Sequence, residues 1–263
     1  MAVYSLGIDV GSTSAEALLL EGNRVVAYSI VDTGYNGRKA ADLAIADALR
    51  QVSASVESVS KSVATGYGRV SVEFADRQIT EISCYARGIN FLYPEVRTVI
   101  DIGGQDSKVI IVDKKGKAVD FAMNDKCAAG TGRFLDVTAR ALQLPLSQMG
   151  AIGLSSQKPA AITSMCTVFA ESEVITLVAE GVERSDIVAG LHLSVARRIA
   201  TMVKRLGAVA PIAFAGGVAK NSGVIQAIES LLNSGKLIIP QEPQIVGALG
   251  AALLARDIGL EST

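Results

Sequence analysis

Apolar residues along the chain form short runs and longer periodic segments. Runs bounded by glycine or polar residues predict buried strands at residues 4–10, 15–20, 24–30, 62–65, 109–112, 118–123 and 211–215. Segments with apolar residues at helical spacing predict helices at about residues 40–52, 76–88, 185–206 and 244–255. Strands interleaved with helices in this order indicate an α/β protein.

One strand–turn–strand pattern occurs twice. Ile-Asp-Val-Gly-Ser-Thr at residues 8–13 reappears 92 residues later as Ile-Asp-Ile-Gly-Gly-Gln at residues 100–105, and an apolar run follows each copy. Repeats of this kind reveal architecture, and they predict two lobes, at residues 1–97 and 98–263. We expect the C-terminal helix, at about residues 245–257, to pack back on the first lobe.

Each copy places an aspartate, Asp9 or Asp101, before a turn of small residues. Backbone N–H groups and hydroxyls in such turns are typical of loops that bind phosphate. We therefore predict that the two lobes close on a nucleoside triphosphate, with Asp9 positioned to hold a hydrated Mg²⁺. The candidate phosphate-binding residues are Gly11, Ser12, Thr13, Ser14, Gly103, Gly104 and Gln105.

A further glycine turn follows the predicted strand at residues 211–215. Gly216 and Gly217 separate this strand from a helix. Because glycine lets the backbone approach a ligand closely, we expect an adenosine to rest there.

Two of the three cysteines, Cys127 and Cys166, precede segments with a helical pattern. A thiolate at the N-terminus of a helix is stabilised by the helix dipole and by unpaired N–H groups. Iron–sulfur clusters usually take four cysteine thiolates. One chain cannot supply four, whereas a two-fold dimer that contributes these two from each subunit can. Cys84, inside a predicted helix, is expected to be a small buried hydrophobic residue.

Composition narrows the functional classes. The chain has 263 residues and a formal net charge of −1, which offers no global electrostatic reason to bind nucleic acid or a membrane. Its apolar runs are shorter than the ~18 residues that a membrane span needs, and its start lacks the basic region of a signal peptide. Three cysteines without a CxxC motif fit a reducing cytoplasm. The lone histidine, His192, is interpreted as structural.

This order of motifs resembles the superfamily of actin, sugar kinases and Hsp70 ATPases, which are two-lobed α/β proteins built from duplicated ribonuclease H-like domains. Within it, the chain resembles the activator ATPases of 2-hydroxyacyl-CoA dehydratases, of the BadF/BadG/BcrA/BcrD type, which are related to the ATPase subunits of benzoyl-CoA reductase. The motifs that carry the resemblance lie at residues 7–13, 64–69, 99–106, 124–134, 164–173 and 216–218.

The resemblance implies an ATPase coupled to electron transfer that acts as a homodimer. Cys127 and Cys166 of both subunits would hold one [4Fe-4S] cluster at the interface. A ferredoxin or flavodoxin would supply the electron, and ATP with Mg²⁺ would drive its transfer. The electron would then pass to a partner iron–sulfur dehydratase or reductase.

Residue roles follow from the same resemblance. Asp9 and Asp101 would hold Mg²⁺, and Asp101 or Gln105 would orient the attacking water, which makes these three the predicted catalytic residues. The residues expected to border the nucleoside are Gly216, Gly217 and Gln244.

One position departs from the family pattern. Relatives commonly carry a lysine where this chain has Glu16, while Lys108 occupies the equivalent position of the second repeat. Because an acidic group near a triphosphate repels it, either Glu16 points away or nucleotide affinity or hydrolysis is altered.

Other functions stay open at this point. The partner could be a different iron–sulfur protein, such as a benzoyl-CoA reductase-like or double-cubane-cluster protein. A cluster-free small-molecule kinase would tolerate Cys127→Ser and Cys166→Ser, and the absence of a sizeable insertion for a substrate pocket counts against it. A filament-forming actin-like role leaves both cysteines unexplained.

Overall fold

The computed structural model of the chain describes residues 3–163 and 166–261. The strands are β1 (Tyr4–Val10), β2 (Ser14–Glu21), β3 (Arg24–Asp32), β4 (Val59–Thr65), β5 (Arg77–Gln78), β6 (Thr98–Ile102), β7 (Ser107–Val112), β8 (Ala118–Asn124) and β9 (Ile212–Ala215). The helices are α1 (Gly37–Gln51), α2 (Glu81–Leu92), α3 (Gly132–Ala141), α4 (Met149–Leu154), α5 (Thr167–Ala179), α6 (Arg184–Leu206), α7 (Ser222–Leu232) and α8 (Val246–Glu261). Their order confirms the predicted α/β class.

The helix predicted at residues 76–88 begins later, at Glu81. Thr80 has an extended backbone, and its hydroxyl accepts a hydrogen bond from the N–H of Ser83 at 3.5 Å, as an N-cap residue does. Before this cap, the carboxylate of Asp76 accepts a backbone hydrogen bond from β4 at 2.8 Å. Asp76 therefore belongs to the edge of the sheet, and the expected start of the helix was wrong.

Two sheets share one strand order. The first runs β3-β2-β1-β4-β5 and the second runs β8-β7-β6-β9, so β1 to β4 correspond in order to β6 to β9. In the first sheet, β1 pairs antiparallel with β2 and parallel with β4. The common order confirms the duplicated α/β architecture that the sequence repeat predicted.

The described chain divides into two compact units. The first comprises the residues up to Val99, Ile110–Asp120 and the residues from Pro240 onward, and the second comprises Ile100–Val109 and Phe121–Ile239. The turn between β6 and β7 thus belongs to the second unit, and α8 belongs to the first.

In the first unit, helices cover both faces of the sheet. Ile8 of β1 belongs to the core formed with α1, whereas Leu18 of β2 packs with Leu249 of α8. Because successive side chains of a strand face opposite sides of the sheet, Asp9 and Glu16 lie on the face that α8 covers.

The second unit has a longer connection between its third and fourth strands. Residues 33–58 join β3 to β4 and contain α1, whereas residues 125–211 join β8 to β9 and contain α3 to α6. Cys127 and Cys166 both lie in this longer connection. Its helices surround a core that includes the fully buried Phe134. The cysteine segments are therefore an elaboration of the second copy of the repeat.

Candidate nucleotide site and cysteine segments

The first glycine turn, between β1 and β2, is held closed by short hydrogen bonds. The N–H of Gly11 donates to the carbonyl of Ser14 at 2.9 Å. Thr33 adds support, because its hydroxyl donates to the carbonyl of Gly11 at 2.8 Å and its N–H donates to the carbonyl of Thr13 at 2.9 Å. Ser12 is half-buried and Thr13 is exposed. The turn therefore presents hydroxyl groups on a fixed backbone.

The second glycine turn, between β6 and β7, is built in the same way. The N–H of Gly103 donates to the carbonyl of Asp106 at 3.0 Å, and these residues stand 92 positions after Gly11 and Ser14. Gly104 is half-buried, and Gln105 is exposed at the tip. The sequence repeat is thus also a repeat of backbone geometry.

Asp9 and Asp101 stand at the ends of β1 and β6, with only 5% and 1% of their surface exposed. A glycine with positive φ lies against each carboxylate, Gly66 (φ 86°) beside Asp9 and Gly216 (φ 84°) beside Asp101. A Cβ atom on either glycine would lie 2.4 Å from Oδ1 of its aspartate. Both positions therefore require glycine to keep the carboxylate in place.

Gly66 is a site residue that the sequence reasoning missed. Gly66 follows β4 in the same way as Gly216 follows β9. The two glycines are not 92 residues apart, however, because the connection between the third and fourth strands is longer in the second unit. The signal that could have found it is a glycine directly after a buried strand in both copies.

The two carboxylates have different charged neighbours. Lys108 of β7 is 1% exposed, and its ammonium nitrogen lies 3.0 Å from Oδ2 of Asp101 and 2.8 Å from Oδ1 of Asp106. At the equivalent place in the first sheet, Glu16 is the cross-strand partner of Asp9 and is also buried. Glu16 therefore lies beside Asp9 within the sheet and does not extend into solvent.

Asp9 also lies against the first turn of α8. A Cβ atom on Gly247 would be 1.9 Å from Oδ2 of Asp9, and the N-terminus of a helix favours a nearby negative charge. Just before α8, Nε2 of Gln244 donates to Oγ of Ser14 at 3.4 Å. The C-terminal part of the chain thus returns to the first glycine turn.

The predicted site residues therefore fall into two groups. Asp9, Gln244 and the first turn come together in the first unit, whereas Asp101, Gly216 and the second turn come together in the second unit. Gly217 is exposed next to the buried Gly216.

The second glycine turn is hydrogen-bonded to the start of α3. The N–H of Gly132 donates to the carbonyl of Gly103 at 2.9 Å, and the N–H of Arg133 donates to that of Gly104 at 2.8 Å. A Cβ atom on Gly132 would be 3.1 Å from the Gly103 oxygen, so a glycine permits this close approach. Cys127 lies only five residues before α3. A candidate phosphate turn and a cysteine segment are thus joined directly.

The three cysteines differ in exposure. Cys127 is half-buried, and Cys166 is exposed at the N-cap of α5. Cys84 is fully buried, as predicted, and burial raises the pKa of its thiol to about 12. Ser164 and Met165, which belong to the second cysteine motif, lie outside the described residues.

Two kinds of feature are absent from the part of the chain that the structure describes. In residues 3–163 and 166–261, no group of three or more His, Cys, Asp or Glu side chains is arranged to hold a metal ion. No helix in those ranges is both long and apolar enough to cross a membrane.

Two equivalent sheets, each ending in a buried aspartate beside a glycine turn, define the fold of the actin and sugar kinase class. A ROK hexokinase from Thermus thermophilus shares this fold, with a TM-score of 0.52 at 17% identity over 99% of this chain and 100% of that chain. The chain belongs to the BadF/BadG/BcrA/BcrD ATPase family, whose model matches residues 6–255. The predicted family, fold and ATPase class are therefore confirmed.

Relatives within the family match over nearly their whole length. The 2-hydroxyisocaproyl-CoA dehydratase activator of Clostridioides difficile is 46% identical over 99% of this chain and 97% of that protein. The crystal structure of component A of the Acidaminococcus fermentans (R)-2-hydroxyglutaryl-CoA dehydratase is similar with a TM-score of 0.94 at 46% identity, over 98% of this chain and 99% of that one. The solved structure of the Clostridium difficile activator of 2-hydroxyisocaproyl-CoA dehydratase with bound ADPNP is similar with a TM-score of 0.93 at 45% identity. The match covers 99% of this chain and 97% of that one.

Proposed function

We propose that this protein is an ATP-dependent activator of a 2-hydroxyacyl-CoA dehydratase, to which it passes a low-potential electron. Similarity over the whole length to activators of two such dehydratases supports the proposal. The observation that carries it is the pair of hydrogen bonds from Gly132 and Arg133 to the Gly103–Gly104 turn. These bonds join a candidate phosphate turn to a cysteine segment, which is the connection that coupling of nucleotide state to a cluster requires.

We expect the glycine turns to bind nucleotide phosphates. Backbone N–H groups and the hydroxyls of Ser12 and Thr13 would hold the phosphates. Asp9 and Asp101 would hold Mg²⁺, a role that fits two carboxylates buried beside these turns, and Asp101 or Gln105 would orient the attacking water. The remaining residues proposed to contact the nucleotide are Gly11, Ser14, Gly103, Gly104, Gly216, Gly217 and Gln244.

For electron transfer, Cys127 and Cys166 of two copies would hold one [4Fe-4S] cluster in a homodimer. The residues fit this group, because both thiols are free and each precedes the N-terminus of a helix, where an anionic cluster is favoured. Small residues, Ala128 to Gly132, follow the first cysteine. When bound, such a cluster supplies a one-electron centre whose potential the surrounding protein adjusts.

The proposed cycle couples the transfer of one electron to the hydrolysis of ATP. A reduced ferredoxin or flavodoxin gives one electron, the iron–sulfur dehydratase component receives it, and ATP with water becomes ADP and phosphate. Loss of the γ-phosphate would change the contacts of Gly103 and Gly104, and the hydrogen bonds of this turn to α3 would carry the change toward Cys127. The energy that this coupling must supply is modest, since a tenfold change in a one-electron equilibrium corresponds to 59 mV, or about 1.4 kcal/mol. We expect the cycle to run in the cytoplasm, which keeps thiols reduced.

Iron and acid-labile sulfide per dimer, measured on anaerobically purified protein, test the proposal. We expect about four of each, and their loss in Cys127→Ser and in Cys166→Ser. Cys84→Ser is the matched control, because Cys84 is buried in the first unit, and it should keep full iron content. The wild type should also activate a 2-hydroxyacyl-CoA dehydratase only when ATP and a reductant are both present.

Several results would contradict the proposal. They are iron that stays absent after reconstitution, full iron content in both serine variants of the candidate ligands, and electron delivery only to a different iron–sulfur protein. Phosphoryl transfer from ATP to an added small molecule by colourless protein would instead identify a kinase.

A further inference from the structure

Asn124, the last residue of β8, ties down the segment that carries Cys127. Its Nδ2 atom donates to the carbonyl of Cys127 at 2.8 Å and to the carbonyl of Ala129 at 3.1 Å. One amide group thus closes residues 124–129 into a loop. The loop is therefore held by a side chain at its entrance.

Arg198 of α6 supports this amide from the other side. Its Nη2 atom donates to Oδ1 of Asn124 at 3.1 Å, which fixes the amide so that its NH₂ group faces the loop carbonyls. The aliphatic part of Arg198 packs against Gly130, whose φ is 83°. A Cβ atom at Gly130 would lie 2.9 Å from Cδ of Arg198. Arg198 therefore contacts the loop both through Asn124 and directly.

The charge of Arg198 also lies close to this loop. Lys126, within the loop, has 90% of its side chain exposed and is paired with Asp125 at 3.1 Å, so water and a carboxylate screen its charge. Arg198 is half-buried, and a less solvated charge acts more strongly on its surroundings. Such a positive charge stabilises negative charge that is added to the loop or to a group bound by it.

We propose that Asn124 and Arg198 form a positioning pair for Cys127. Asn124 holds the loop in one conformation, and Arg198 orients Asn124 and raises the reduction potential of a cluster bound at Cys127. The role of Asn124 in holding the loop stands on the hydrogen bonds alone. The effect of Arg198 on the reduction potential of the cluster rests on the proposed function. Neither residue is proposed to contact the reacting atoms.

The first test is amide hydrogen exchange at residues 127–131 in metal-free protein. Asn124→Asp keeps the size of the side chain and the acceptor for Arg198 but loses the NH₂ group. Since both hydrogen bonds to the loop carbonyls are lost, exchange should accelerate about tenfold. Exchange at the rate of the wild type would overturn the assignment of Asn124.

The second test is the midpoint potential of the cluster in the anaerobically purified dimer. Arg198→Gln removes the charge but keeps an amide donor, and Arg197→Gln removes the same charge from the exposed neighbouring position. Arg198→Gln should shift the one-electron equilibrium about tenfold toward the oxidised form, or ~59 mV, and Arg197→Gln much less. Because Arg198→Lys keeps the positive charge, its midpoint potential should stay close to that of the wild type.

Equal potentials in the two glutamine variants would overturn the role of Arg198. A wild type without any cluster would instead overturn the proposed function, and the exchange experiment would still decide the role of Asn124. The two failures are therefore distinguishable.

Discussion

Lys108 holds two carboxylates at the end of the second sheet. Its ammonium nitrogen contacts Asp101 at 3.0 Å and Asp106 at 2.8 Å, and both Lys108 and Asp101 are almost fully buried. A buried carboxylate is tolerated in a protein when it is paired and hydrogen-bonded. Lys108 thus orients the aspartate to which we assign Mg²⁺ and water.

Replacing Lys108 by methionine keeps the apolar stem but takes the ammonium away from Asp101. We expect the free energy of unfolding to fall by about 3 kcal/mol and ATP hydrolysis to slow, because the carboxylate loses a fixed partner. Denaturant unfolding should be compared with Lys114→Met, which changes an exposed lysine in the turn after β7. Equal stabilities of the two variants would argue against this role.

At the scale of secondary-structure elements, glycines set how closely α8 lies to its neighbours. A Cβ atom on Gly7 of β1 would be 1.9 Å from the carbonyl of Ala248, and one on Gly250 of α8 would be 1.8 Å from the carbonyl of Cys84 in α2. The backbones of β1, α2 and α8 therefore touch where these glycines stand. This close packing also brings the start of α8 to Asp9.

Gly250→Ala should separate α8 from α2 and lower the free energy of unfolding by about 3 kcal/mol. Gly259→Ala is the matched control in the same helix, because its Cβ atom would meet only Cγ of Lys61 at an ordinary 3.6 Å. It should gain about 1 kcal/mol from the higher helix propensity of alanine. Thermal unfolding measures both. A tolerated Gly250→Ala would show that α8 can shift without cost.

At the scale of the whole molecule, the single histidine links stability to pH. His192 is 2% exposed in α6, and its Nε2 lies 3.3 Å from Nδ2 of Asn221. Gly153 and Gly223 pack against its ring. Burial lowers its pKa from 6.5 to about 4, so the folded protein keeps this imidazole neutral, as expected of a structural residue.

The unfolded chain takes up a proton on His192 below about pH 6.5, whereas the folded chain does so only near pH 4. The stability from this residue is therefore fully present above the unfolded pKa and is lost as the pH falls toward 4. Between pH 7 and pH 5 the loss should be about 2 kcal/mol. Denaturant unfolding of the wild type and of His192→Gln at pH 7 and pH 5 isolates the contribution of His192, because both proteins have the same carboxylates. Identical pH slopes would contradict the assignment.

Local patterns by themselves determined the two glycine turns, the duplicated α/β order and the strands apart from β5, which lies where a helix was predicted. Residues 4–10 were expected as a strand and form β1, and the second turn repeats the hydrogen bond of the first. Strand formation and turn geometry depend on residues a few positions apart, so a single sequence contains the signal. The start of α2 was misplaced because the Thr80 cap and the hydrogen bond of Asp76 to β4 outweighed the helical spacing.

Only the tertiary structure decided which residues of the site meet. Gly66 and Gly216 lie against equivalent carboxylates, although their sequence distances from those aspartates differ. Arg198 donates a hydrogen bond to Asn124, 74 positions earlier in the chain. The N–H of Gly132 donates to the carbonyl of Gly103. The partners in each pairing are far apart in the sequence, so the pairings depend on how the sheet edges and helices pack. The sequence therefore determined the chemistry available to this protein, and packing determined which groups act together.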